Sequence, residues 1–163
     1  MSIEIRAFTH HDIPEMIAIW NEIVEEGIAF PQMEALTERS GLDFFKDQSF
    51  TGVAIEQKTG KMVGLYILHP NNVGRCGHIS NASYAVKSDE RGKRIGEVLV
   101  LHCLAKAKEL GFQILQFNAV VSINVAALRL YKKLGFVQLG TIPKGFLMKD
   151  GNYQDIIPHY CML

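Results

Sequence analysis

Apolar and polar residues alternate over Ile3-Glu4-Ile5-Arg6-Ala7-Phe8, and this period of two predicts a first strand. The spacing then changes. Ile13, Met16, Ile17, Trp20, Ile23 and Val24 recur at helical intervals, which predicts an amphipathic helix over residues 12–26, stopped by Gly27. After a loop containing Pro31, residues 38–48 form a second predicted helix with Gly41 inside it. Two strand-like runs follow, 51–57 and 62–69, joined by the hairpin signal Lys58-Thr59-Gly60-Lys61. Pro70-Asn71-Asn72 predicts a turn, and residues 77–86 a further strand. A long helix over 92–110 closes on Gly111, a strand occupies 113–121, and a helix over 124–134 closes on Gly135. Strand patches in 136–163 surround a turn at Lys149-Asp150-Gly151-Asn152. This order of elements predicts an α/β fold with a mixed sheet.

Composition narrows the class. A chain of 163 residues, 48% apolar and 21% charged, is expected to form one domain over 1–163 with a continuous core, and disorder is excluded. Lys and Arg number 17, as do Asp and Glu, so no basic excess points to nucleic acid or to an anionic membrane. The longest apolar stretch, 98–105, is broken by His102 and falls far short of a bilayer span. Nothing at Met1-Ser2-Ile3-Glu4 resembles a signal peptide, so the expected location is cytoplasmic. Cys76, Cys103 and Cys161 are an odd set without a CxxC, which suggests neither a disulfide framework nor zinc. His10, His11, His69, His102 and His159 lack metal-site spacing, and no metal is expected. The zero net charge is unevenly spread. Residues 7–38 contain seven acidic residues and no Lys or Arg, whereas from Arg39 onward 16 basic residues face 9 acidic ones.

Candidate chemistry lies in Val86-Lys87-Ser88-Asp89-Glu90-Arg91-Gly92-Lys93-Arg94-Ile95-Gly96. Here a predicted strand ends, a basic glycine-bearing loop follows, and a helix begins. The first N–H groups of a helix lack intrahelical partners and sit at the positive end of its dipole, where they favour anions. Arg91, Lys93 and Arg94 add charge at the same place. A phosphate site and a merely solvated helix start are both compatible with the residues alone. Neither the P-loop pattern nor a dinucleotide GxGxxG is present.

This loop resembles the acyl-CoA pyrophosphate signature R/Q-x-x-G-x-G/A of the GCN5-related N-acetyltransferase (GNAT) superfamily, with Arg94 at the central glycine and Gly96 at the last position. Asn124-Val125-Ala126-Ala127-Leu128-Arg129-Leu130-Tyr131-Lys132-Lys133-Leu134-Gly135-Phe136 resembles its second signature, N-x-x-A-x-x-x-Y-x-x-x-G-F. The resemblance implies a mostly antiparallel sheet with splayed central strands, and acetyl-CoA as co-substrate held by Arg91, Gly92, Lys93, Arg94, Ile95 and Gly96. It implies that Asn124 caps a helix and meets the pantetheine arm. Tyr131 would place its hydroxyl near the CoA sulfur, and a backbone N–H of Tyr84-Ala85-Val86 would polarise the thioester carbonyl.

The implied reaction is direct attack by an amine. No carboxylate occurs in His78-Ile79-Ser80-Asn81-Ala82-Ser83, where some family members carry a glutamate. The candidate bases are therefore His78 and the glutamates Glu22, Glu25 and Glu26, with Glu25 preferred; a solvated helix face remains the alternative for the glutamates, and a hydrogen-bonded strand residue the equal alternative for His78. Gly27-Ile28-Ala29-Phe30-Pro31, Ile79-Ser80-Asn81-Ala82, Phe117-Asn118-Ala119-Val120 and Ile142-Pro143-Lys144-Gly145-Phe146 resemble the branch of L-azetidine-2-carboxylate (proline-analogue) acetyltransferases and, more loosely, phosphinothricin-type enzymes. That likeness implies Phe30, Asn81 and Asn118 in an acceptor pocket, although local sheet-edge satisfaction of the asparagines is equally open. The expected partner is a small amine or amino acid, with a homodimer possible. The alternatives are a non-catalytic acyl-CoA sensor and a protein acetyltransferase.

Overall fold

The computed structural model describes residues 1–163. In chain order the elements are β1 (Ile3–Ala7), α1 (Ile13–Glu26), α2 (Glu38–Lys46), β2 (Phe50–Glu56), β3 (Met62–Pro70) and β4 (Ile79–Val86). They continue with α3 (Ile95–Glu109), β5 (Ile114–Val121), α4 (Val125–Lys133), β6 (Val137–Gln138), β7 (Ile142–Leu147) and β8 (Tyr153–Met162). The eight strands form one sheet in the order β1-β2-β3-β4-β5-β8-β6, with β7 also paired to β8. Every pairing is antiparallel except β4–β5. No helix is long and apolar enough to cross a membrane.

The sheet is covered on both faces, and the strands show it. Met62 to Leu68 are buried without interruption, because alternate side chains of β3 enter different cores. Leu65 and Ile67 pack with Met16, Trp20 and Phe45 beneath α1 and α2, whereas Tyr66 and Leu68 pack with Leu99, Val100 and Cys103 beneath α3. The predicted helix over 12–26 is α1, and Gly27 ends it at φ 67°, a left-handed conformation that costs glycine little. Asn124 caps α4 by accepting from the N–H of Ala127 at 3.3 Å.

Two expectations change. The long helix starts at Ile95 rather than 92, because Gly92 (φ 79°) and Arg94 (φ 65°) both sit in the left-handed region and cannot continue a right-handed helix. The C-terminal patches resolve into a two-residue strand and a β7–β8 pair.

The β3–α3 contact is tight at Gly64. A Cβ there would lie 2.8 Å from the Ala85 carbonyl oxygen and 3.1 Å from Leu99 Cδ1, and the backbone partner cannot give way cheaply. Gly64→Ala is expected to destabilise the protein by about 1–3 kcal/mol, read from urea unfolding midpoints at an unchanged m-value.

Candidate active site

β4 and β5 touch at only two parallel pairs, Ile79–Ile114 and Ser80–Leu115, and then part. Alternate residues of a strand direct their N–H and C=O groups to opposite edges. The Ile79 carbonyl accepts from Asn71 N–H and the Lys87 N–H donates to the Val63 carbonyl, so the odd-numbered residues face β3. Ala82, Tyr84 and Val86 therefore present their backbone groups to the β5 side, where the ladder has stopped. The Asn81 side chain spans the start of the fork, donating from Nδ2 to the Gln116 carbonyl at 2.8 Å. Beyond it opens a cleft of about 1100 Å³ that reaches from the N-terminus of α3, past Tyr84 and Tyr131, to the loop between α1 and α2.

The α3 end is built to receive an anion. The first intrahelical bond runs from Val98 N–H to the Arg94 carbonyl, which leaves the N–H groups of Ile95, Gly96 and Glu97 without intrahelical partners. Gly96 lines the cleft, and a Cβ there would meet only Leu130 at 3.7 Å and Val86 at 3.9 Å. The fold itself does not require glycine at this position; the open space matters to whatever enters. Arg94 supplies the left-handed residue that precedes the helix, and its side chain is 75% exposed and turned towards Glu97 at 3.4 Å.

Arg91, Lys93 and Arg94 each have a carboxylate. Arg91 meets Glu26 at 2.6 Å and Lys93 meets Glu90 at 2.6 Å, while Glu97 also binds Lys133 at 2.7 Å. Lys93 does not line the cleft, whereas Arg91, Gly92, Arg94, Ile95 and Gly96 do. Ala85 is likewise outside: its backbone faces β3 and its side chain is buried beneath α1.

The acidic end of α1 has a different task from the expected one. Glu22 accepts from the Ser88 N–H at 3.1 Å and Glu26 holds Arg91, so both fasten α1 to the loop before α3. The Glu25 side chain is 84% exposed and pairs with Lys149 on the outside. Of the three, only Glu26 lines the cleft, and neither Glu22 nor Glu25 is placed to serve as a base there. His78 is exposed and precedes Ile79, on the closed side of the fork, so it is also outside.

Tyr131, Asn124, Phe30, Asn81 and Asn118 are brought together along one cleft with Tyr84 and Val86. The Tyr131 ring packs on Phe117 (centroids 4.4 Å apart) and Phe136 (5.3 Å), and its hydroxyl has no hydrogen-bond partner in the protein. Burial pushes that hydroxyl well above the ordinary tyrosine range, so it stays a proton donor through neutral pH. The Tyr84 hydroxyl is buried without a partner, raised by desolvation and by the neighbouring Cys103, so Tyr84 meets the cleft chiefly through its backbone. Burial also pushes the Cys103 thiol up to about 12, and no cysteine lines the cleft. Asn118 donates to Asn71 at 2.6 Å and accepts from Gln116 at 3.0 Å. The pattern of residues did not mark His69, Phe44 or Gln48 as site residues, and they also line the cleft. His69 lies opposite Asn81 in the β3–β4 ladder, a register set by a connection whose geometry no local motif announces.

Chemically, the arrangement joins an anion-binding helix start, an unpaired strand edge able to hydrogen-bond an extended amide chain, and a neutral phenol. Residues 13–136 match the acetyltransferase (GNAT) family. The N-acetyltransferase aca1 of Schizosaccharomyces pombe is 30% identical over 75% of this chain and 66% of its own length, so the chain spans just under two thirds of that relative. The peptidyl-lysine N-acetyltransferase YjaB of Escherichia coli is 31% identical over 86% of both chains. An L-methionine sulfoximine/L-methionine sulfone acetyltransferase of Pseudomonas aeruginosa is 25% identical over 88% of this chain and 86% of its own.

Arg94 holds a conformation that costs an L-residue about 1–2 kcal/mol, and its pairing with Glu97 is exposed and worth little. Arg94→Gly is expected to stabilise the fold by about 1 kcal/mol in urea unfolding, despite the loss of a side chain.

Proposed function

The chain belongs to the acetyltransferase (GNAT) family, and we propose that it transfers the acetyl group of acetyl-CoA to the amine of a small molecule or amino acid. The observation that carries this reading is the fork. An unpaired β4 edge runs from the α3 N-terminus towards a half-buried phenol with no partner in the protein, with the acceptor end of the same cleft beyond it. The residues present fit the co-substrate. The free N–H groups of Ile95, Gly96 and Glu97 would take the pyrophosphate, aided by Arg91, and the open side of Gly96 admits it. The backbone of Val86 and Tyr84 and the cap residue Asn124 would hold the pantetheine arm.

Acetyl-CoA supplies a thioester carbonyl open to attack by a neutral amine, with a thiolate as leaving group. The chain's part is to orient and to move protons. A β4 backbone N–H facing the fork donates to the carbonyl oxygen, where negative charge develops. Tyr131, kept protonated by its burial, donates to the departing sulfur. No thiol is available in the cleft to form an acyl-enzyme, which favours direct attack.

The short stretches around Phe30, Asn81 and Asn118 favour an acceptor of the proline-analogue or phosphinothricin type. A protein acetyltransferase predicts instead that lysine peptides outperform free amines, and a sensor predicts CoA binding without turnover. Thiol release from acetyl-CoA across a panel of amino acids, amines and lysine peptides separates the three.

Two variants probe the geometry. Gly96→Asp should fold about as stably as the parent, since the first turn of a helix favours an acidic side chain, yet bind CoA at least about tenfold more weakly by calorimetry, because the carboxylate repels the pyrophosphate. Tyr131→Phe should keep CoA affinity within about twofold and lower kcat about 10- to 100-fold.

A further inference from the structure

The reaction needs a neutral amine, and most amines are ammonium ions at neutral pH, so some group must take a proton. The carboxylates that line the cleft are poorly placed for this. Glu26, Glu90 and Glu97 are each paired with a cation, and Asp47 is an exposed residue at the C-terminal end of α2. Imidazole is the one side chain whose ordinary titration falls near neutrality. One histidine lines the cleft.

That histidine is His69, half-buried near the end of β3 and directly opposite Asn81, the residue at which β4 and β5 begin to part. Its Nδ1 lies 2.9 Å from the Pro70 carbonyl oxygen. A carbonyl only accepts, so in the neutral ring Nδ1 carries the hydrogen and Nε2 bears a free lone pair, with no partner in the protein. Asn81 spends its Nδ2 on the Gln116 carbonyl, which leaves its Oδ1 able to accept from an amine beside the ring. Charged groups around this end are few: α2 presents Asp47, α1 presents Glu26 already bound to Arg91, and β4 and β5 present the neutral Asn81 and Asn118. Arg91 is held by Glu26 at 2.6 Å, and Arg94 lies at the N-terminus of α3.

We propose that His69 is the general base, its Nε2 taking a proton from the acceptor ammonium directly or across one water. This rests on the acetyltransferase reading. One ammonium proton passes to Nε2 and from the solvent-accessible ring to water. As the C–N bond forms and the C–S bond breaks, the nitrogen gives its second proton to water, the sulfur gains one from Tyr131, and Tyr131 takes one back from water. Ammonium and thioester thus become amide, thiol and one released proton.

The test compares His69→Gln with the parent, using ethylamine and 2,2,2-trifluoroethylamine as probe acceptors at pH 7; the first is protonated there and the second is largely neutral. The expected result is a loss of about 100-fold in kcat/KM for ethylamine and under about threefold for the fluorinated amine, with CoA affinity unchanged. Long-range ¹H–¹⁵N spectra of the free protein should show the hydrogen on Nδ1 and a shift of Nε2 on adding ethylamine. Equal losses for the two amines, or a hydrogen on Nε2, would overturn the assignment while leaving the acetyltransferase reading intact. Failure of the parent protein to bind CoA at all would overturn both.

Discussion

The parting of β4 from β5 is the constraint on which the site depends. A backbone N–H or C=O removed from its ladder and kept from water costs free energy, so a sheet opens only where something replaces the lost partners. Here Asn81 replaces the first of them with its carboxamide on Gln116. Past that bridge the edge of β4 faces a cleft, where water or ligand can satisfy it. The sheet survives the opening because β3 pairs with β4 along its whole length, from Ser80 to Val86, and β8 pairs with β5 on the other side. Both halves are separately tied down, and the gap between them is stable.

The charge distribution has a structural meaning that its sum conceals. The acidic stretch in the first quarter of the chain includes Glu22 and Glu26, which hold the Ser88 N–H and the Arg91 guanidinium. Both contacts reach across more than sixty residues of sequence to fix the loop that leads into α3. The acidic and basic segments are thus complementary within the molecule. Exposed pairs of this kind contribute little to global stability, but they set the path of a loop whose exact course decides which N–H groups point into the cleft.

How far the sequence disclosed this depends on whether each feature is local. Helix α1 and its stop at Gly27 follow from local spacing and were legible, and the Asn124 cap came with the resemblance of the second signature. So was the juxtaposition of the anion loop with Tyr131, through two signatures of fixed spacing. The start of α3 was not, because nothing in Gly92-Lys93-Arg94 announces that an arginine adopts φ 65°. Nor was His69: eight residues separate β3 from β4, and the register that sets His69 beside Asn81 emerges only when the sheet assembles. For the glutamates, helical spacing reports which residues share a face but not what packs against that face.

The two ends of the cleft differ in what their sequence can tolerate. At the α3 end the chemistry resides in main-chain N–H groups, those of Ile95, Gly96 and Glu97, and in the exposed edge of β4. Such groups survive any substitution that preserves the path of the chain, which is why Arg94 can stand where the family signature has glycine. The end proposed for the acceptor is made of side chains, Phe30, Phe44, His69, Asn81 and Asn118, each of which changes the pocket when it changes. A family sharing about 30% identity can therefore keep one cofactor half and diversify the other. It follows that membership carries the acyl donor with far more force than the acceptor. The acceptor has to be read from the imidazole and the two carboxamides at the mouth of the fork, not from the company the chain keeps.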